Sequence, residues 1–122
     1  MEIGLTYTNE LKVTKELTAM HVGSGDLPVL ATPIMIALME NAAMNAVIDD
    51  IDDIETTVGA SVDVKHLKPT PMDDVVKATA TLEAIERRKL TFKVEAYDSL
   101  GLIGEGTHVR YIVNIEKFMS KL

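Results

Sequence analysis

Cysteine is absent from this chain of 122 residues, which excludes disulfides, zinc–thiolate sites and a cysteine nucleophile at once. Tryptophan is absent too, and aromatic residues make up only 4% of the sequence, so the core must be aliphatic, with seven methionines as adaptable filling. A basic excess is also missing. Twelve Lys and Arg against 19 Asp and Glu leave a formal charge of −7, which argues against nucleic acid or an anionic membrane as the main partner. An anionic ligand would need a local group of cations. No apolar run has signal-peptide flanks or membrane-spanning length, because the longest is interrupted by Glu40 and Asn41. A cytoplasmic protein is the expectation. The acidic run Asp49–Glu55 lacks the glycine and spaced oxygens of a calcium loop and reads as a solvated turn, so no metal is expected. The length fits one domain over residues 1–122, at the small end for an enzyme with a deep pocket, a difficulty that a site shared between two copies would solve.

What the chain does have is one apolar window, Ala31–Ile48, long enough for a central helix and carrying a single carboxylate. Thr32 followed by Pro33 reads as its start: an N-cap hydroxyl accepts from first-turn amides, and proline at the first helical position loses no bond. The rod would span roughly 24 Å. Only Glu40, Asn41 and Asn45 are polar within it, so the helix is expected to be covered on most sides. Met44 and Ala37 fall within about 60° of Glu40, and the two asparagines follow on the same side, so polar and apolar residues share one arc. Either that arc is a solvated stripe, or it faces a partner or pocket where apolar surroundings raise a carboxyl pKa toward that of a general base. The pattern alone leaves both open.

Before the helix, LKVTKEL suggests a first strand with Leu11, Val13 and Leu17 inward, and Thr18–Leu30, rich in Gly, Ser, Asp and Pro, reads as an approach loop able to form a lid. After it the period becomes two. Val58, Ala60, Val62, Val64 and His66 fall on one face, which puts His66 among apolar neighbours, and KPTPMD closes that strand. Val76, Ala78, Ala80 and Leu82 mark the next strand, Glu86–Lys89 a tight turn, and Leu90, Phe92, Val94 and Ala96 a further strand. The last strand is GEGTHVRYIVNI, followed by a short helical or extended tail. Within it His108 and Arg110 share a face, which is either exposed or able to hold an anionic substrate.

Strands joined by short turns are antiparallel neighbours, and one helix against one curved sheet is the simplest two-layer solution. The expected class is therefore α+β, an antiparallel sheet of about five strands wrapped around one long central helix, in the order of the hotdog fold. Three segments then carry a resemblance: ATPIMIALMENAA, VGASVDVKHLKPTP, and RRKLTFKVEAYDSLGLIGEGTHVRYIVNIEKF. The AT helix start with a glutamate eight residues beyond Thr32, the VxH strand ending before TP, and GxGTHxR together resemble the hotdog-fold acyl-CoA thioesterase family that includes the fluoroacetyl-CoA thioesterases. The resemblance implies hydrolysis of an acyl-CoA by a homodimer, with Thr32, Glu40 and His66 as catalytic residues and no cofactor beyond the coenzyme A of the substrate. Two departures stand out. The segment before the AT motif has no aromatic residue, which points to a general short or medium acyl group rather than a fluorinated one. Pro33 replaces the family's glycine.

Thioester hydrolysis needs a nucleophile or activated water, a base, and donors for the developing oxyanion. Glu40 fits base or nucleophile, and His66 can exchange protons with water or the leaving thiolate. Pro33 removes one amide from the helix start, so an oxyanion donor must come from a neighbouring residue such as Ile34 or from elsewhere. Thr32 and Glu40 lie roughly 12 Å apart along the helix axis, so the three residues are expected to converge only around substrate or across a dimer interface. Lys65, Lys68, Arg87 and Arg88 are the cations available for the phosphates of coenzyme A, each also readable as an ordinary solvated side chain. The alternative function is a non-catalytic dimeric hotdog module that binds an acyl group or coenzyme A without turnover. A hydratase would pair Asp with His on a different loop pattern, for which no match is present.

Overall fold

A computed structural model describes all residues, 1–122. Five strands form one antiparallel sheet in the order β1-β3-β4-β5-β2: β1 Thr6–Lys12, β2 Glu55–His66, β3 Val75–Glu86, β4 Lys89–Asp98 and β5 Gly101–Asn114. A one-turn helix, α1 (Ala19–Val22), lies on the approach to α2 (Thr32–Val47), and α3 (Ile115–Met119) follows the last strand. The long helix touches all five strands, so the sheet wraps around it as expected.

The clean alternation in β3 and β4 has a plain cause. Val76, Ala78, Ala80 and Leu82, then Leu90, Phe92, Val94 and Ala96, are all fully buried against the helix. From α2 the core takes Met35, Leu38, Met39, Ala42, Ala43 and Val47, spaced at threes and fours, so one face of the helix carries the burial. The expectation that the helix is covered on most sides does not hold within one chain: Ala37 is exposed, Ile48 is 42% exposed, and Ile36 and Met44 are only half-buried. The three polar residues also separate. Asn41 receives a hydrogen bond from Asn9 on β1 and another from Asn45, whereas Glu40 turns toward β5.

The first strand lies earlier than LKVTKEL. It runs Thr6–Lys12, while Leu17 closes a 3-10 turn over Lys15–Leu17. The decisive signal was a cross-strand threonine ladder: Thr8 meets Thr79 at 2.8 Å and Thr6 meets Thr81 at 3.4 Å on β3. The acidic run is a turn, and the tail is helical, capped by Asn114.

One irregularity positions the site. Gly59 pairs with Arg110 and Ser61 with Val109, so Ala60 is the extra residue of a β-bulge. An extra residue reverses the side-chain parity. Thr57 and Gly59 face the helix before the bulge, and Val62, Val64 and His66 face it afterwards, opposite Ile112, Arg110, His108, Gly106 and Gly104 on β5. Val58 and Ala60 therefore do not share the face of His66, contrary to their alternation in sequence. At Gly104 a Cβ would lie 2.6 Å from Met35 Sδ, so glycine lets β5 approach the helix.

Candidate functional site

Two polar centres flank α2. At its start, the Oγ1 of Thr32 lies 2.7 Å from Nδ1 of His66, a residue at the end of β2. Thr32 is not the N-cap. Ala31 holds that place with extended backbone (ψ 135°), and Thr32 is the first helical residue, which leaves its hydroxyl free to reach His66. The two residues meet within one chain, so convergence does not require substrate for this pair. Nε2 of His66 is buried without a hydrogen-bond partner in the protein, and burial pushes the imidazole below its ordinary value of 6.5, partly offset by the backbone of Lys68. His66 is therefore neutral near pH 7. Beside the pair lies a cleft of about 290 Å³ walled by Ala19, Ser24 and Leu30 from the approach segment and by Lys68 from the far side.

The first turn of α2 corrects the oxyanion expectation. The amides of Ile34 and Met35 both donate to the Ala31 carbonyl, at 3.0 and 3.1 Å, and Pro33 has none. Ile34 is thus already engaged. The amide of Thr32 itself is the one left without a protein acceptor, at the positive end of the helix dipole.

The second centre surrounds Glu40. Its Oε2 lies 3.5 Å from Nη1 of Arg110 and 3.8 Å from Nε2 of His108. Neither β5 residue is exposed: His108 is buried to 1% exposure and Arg110 to 6%, so the reading of these side chains as a solvated face fails. A buried guanidinium must spend its N–H groups, and Arg110 does so on Thr57, donating from Nε to the hydroxyl at 2.8 Å and from Nη2 to the carbonyl at 2.9 Å. Its Nη1 also donates to Nε2 of His108 at 3.2 Å. Burial lowers the pKa of Arg110 from the ordinary guanidinium value, and the Glu40 carboxylate works in the opposite direction. Gly59 makes room for this group, because a Cβ there would stand 2.5 Å from Glu40 Oε2.

Thr57 and Gly59 escaped the reading of the sequence because the bulge at Ala60 hides which face they occupy. The remaining candidates are dispersed. Lys65 is exposed on the outer face, and Arg87 is exposed in the β3–β4 turn with left-handed backbone (φ 61°). Arg88 pairs with Glu55 at 2.6 Å and joins Lys117, Phe118 and Lys121 in a separate cleft. Glu55 and His66 bound the two ends of β2, roughly 36 Å apart along an extended strand, so one chain does not bring Arg88 to the Thr32–His66 pair. Of the four expected cations only Lys68 lines the cleft beside that pair.

The fold and the sequence both have known counterparts. The fluoroacetyl-CoA thioesterase of Streptantibioticus cattleyicolor is 33% identical over all of this chain and 92% of its own length. A fluoroacetyl-CoA thioesterase solved as a threonine-to-serine variant in complex with acetyl-CoA is 31% identical, with a TM-score of 0.94 over 99% of this chain and 96% of that one. A hot-dog-like protein from Thermanaerovibrio acidaminovorans shares the fold at a TM-score of 0.89 and 19% identity, over 98% of this chain and 88% of that one. The family of fluoroacetyl-CoA-specific thioesterases matches residues 13–116, which contain both centres and strands β2 to β5. The chain is a member of the fluoroacetyl-CoA-specific thioesterase family, built on the hotdog fold.

Proposed function

We propose that this acyl-CoA thioesterase hydrolyses a short or medium acyl-CoA to the carboxylic acid and free coenzyme A, as a homodimer whose site combines the Thr32–His66 pair of one protomer with Glu40 of the other. The observation that carries this reading is the 2.7 Å contact between Thr32 and a neutral, half-buried His66 at the start of α2, beside a cleft and an unpaired amide. With Nδ1–H donating to the threonine oxygen, the lone pair is left on Nε2, the ring atom that has no partner in the protein. It takes a proton from the attacking water as the carbonyl carbon gains its new C–O bond. The Thr32 amide donates to the oxyanion. As the C–S bond breaks, the imidazolium returns that proton to the thiolate, and the carboxylate of Glu40 aligns the water and balances the transient imidazolium charge. No external redox partner or metal enters this balance. Lys68, beside the cleft, is the cation nearest the reacting end for a coenzyme A phosphate.

Relatives named for fluoroacetyl-CoA and complexed with acetyl-CoA support a small acyl group. The approach segment Thr18–Leu30, without an aromatic side chain, supports a site not dedicated to the fluorinated one. The test is Glu40→Gln against a panel of acyl-CoA esters from acetyl and fluoroacetyl to medium chains. Hydrolysis by the parent that falls roughly 10²- to 10⁴-fold in the variant supports the reading. Binding of coenzyme A esters by the parent without any turnover would instead identify a non-catalytic acyl-binding module.

A further inference from the structure

His108 is the most deeply buried titratable side chain near the Glu40 centre, and the hydrolysis described above gives it no task. Its surroundings are fully defined. Nδ1 lies 2.8 Å from the carbonyl of Ser61, the residue that follows the bulge, and a carbonyl only accepts, so Nδ1 carries a proton. Nε2 lies 3.2 Å from Nη1 of Arg110, and a guanidinium only donates, so Nε2 is the bare acceptor. Together these two bonds specify a neutral imidazole in one tautomer. Phe92 on β4 packs near the ring at a centroid distance of 6.4 Å. The charged groups facing it are Arg110, on its own strand, and Glu40, from the helix packed over it; β4 contributes only Phe92, and β2 the Ser61 carbonyl. Protonation at Nε2 would remove the acceptor and set two cations against each other in a buried site.

The rest of the guanidinium is equally constrained. Thr57 occupies the Nε and Nη2 edge, which leaves Nη1 as the corner shared between His108 and Glu40. With one Nη1 proton spent on His108, the other is aimed at the carboxylate. We propose that His108 is a positioning residue for hydrolysis: as a neutral acceptor locked by the Ser61 carbonyl, it holds the Arg110 guanidinium in the orientation that fixes the Glu40 carboxylate. This rests on the reading that Glu40 works in the reaction. The direction in which burial moves the His108 imidazole, downward from 6.5, agrees with the neutral state that the two bonds require.

Two substitutions separate this role from simple core filling. Glutamine at 108 can place its amide oxygen near Nε2 and continue to accept from Arg110, whereas asparagine is too short and can keep only the bond to Ser61. His108→Gln is expected to retain kcat within about threefold, and His108→Asn to lose about thirtyfold or more in kcat with a small change in KM, both variants melting in the same range. In the wild-type protein, ¹⁵N spectra at neutral pH should show the Nδ1–H tautomer for His108, with Nε2 unprotonated. Equal kcat for the Gln and Asn variants, or an Nε2–H or doubly protonated ring, overturns the proposal. If Glu40→Gln proves fully active, the catalytic reading fails on its own terms, while the ¹⁵N tautomer still tests the His108 lock independently.

Discussion

Thr32 and His66 stand 34 residues apart in the chain and 2.7 Å apart in space, and this contact exists because the helix is capped by Ala31 rather than by Thr32. A threonine acting as N-cap would direct its hydroxyl at the amides of the second and third helical residues. One position further on, the hydroxyl points out of the helix to the end of β2. Thr32→Val keeps the shape, removes the hydrogen bond and leaves Nδ1 of His66 unpaired, a loss of about 1–3 kcal/mol in orientation and tautomer preference. Because the amide of residue 32 is retained, the oxyanion donor survives. Turnover should fall by roughly one to two orders of magnitude with Tm nearly unchanged. Steady-state kinetics on an acyl-CoA substrate, beside a thermal melt, checks this, and an unaltered kcat would remove the contact from the mechanism.

The pH dependence follows from two histidines shifted in the same direction. Burial is the first cause at both His66 and His108, and each is held below the ordinary value of 6.5. When a folded-state pKa is depressed, the unfolded chain takes up its proton first as pH falls. The stabilisation is thus complete above about 6.5 and is lost as pH drops through the folded values. Tm should be flat from about pH 8 to 7 and decline below about 6.5, with a shallower decline in His108→Gln. The acid limb of kcat/KM should lie below 6.5 as well, because His66 must be neutral to take a proton. An acid limb centred above 6.5 would contradict the burial of His66 as its cause.

Gly59 offers a way to disturb Glu40 without touching it. A Cβ at this position would stand 2.5 Å from Oε2, the far end of a side chain that can swing away, and 3.4 Å from the His108 ring. Gly59→Ala should therefore displace the carboxylate rather than unfold the sheet. The expected result is a loss of kcat approaching that of Glu40→Gln, with Tm lowered by only a few degrees, as a change of about 1 kcal/mol would give in a domain of this size. A large fall in Tm with kcat preserved would show that the sheet, not Glu40, requires glycine here.

How far these relations could be read from the sequence depends on how far apart their partners lie. The long helix and the paired alternation of Val76–Leu82 and Leu90–Ala96 are local patterns, and the structure carries both, with the helix capped one residue earlier than Thr32; His66 does point inward, but not on the face of Val58 and Ala60 where the alternation put it. The Glu40 centre is not local. Arg110 is buried because Thr57, 53 residues away, satisfies one edge of its guanidinium, and His108 because the Ser61 carbonyl, 47 residues away, receives its proton. Without those partners in view, a histidine and an arginine at alternate positions look like a solvated strand face. The bulge hid the same relation from the other side: an extra alanine in a run of alternating small and β-branched residues leaves the alternation visually intact while reversing what it means.

The last expectation concerns the uncovered edge. β2 ends the sheet with no neighbour on its outer side, and in the middle of it Val62 faces the helix layer yet is 39% exposed. Exposed Ala37 and Ile48 and half-buried Met44 continue the apolar surface along α2, on the arc that carries Glu40. A long open edge beside an apolar stripe is a site for pairing with another strand, and a second copy is the self-complementary partner. Two-fold antiparallel pairing of β2 with its copy would set the Gly59 half of one strand, and the Glu40 opposite it, beside the Val62–His66 half of the other. The roughly 12 Å between Thr32 and Glu40 within a protomer would then be bridged between protomers. Val62→Lys places a charge in the middle of that edge at a position the isolated chain already leaves partly open, so the fold should survive. The wild type should sediment as a dimer, and the variant as a folded monomer with hydrolysis reduced at least 100-fold. A monomeric variant that retains full activity would show that Glu40 and the Thr32–His66 pair serve one substrate within a single chain.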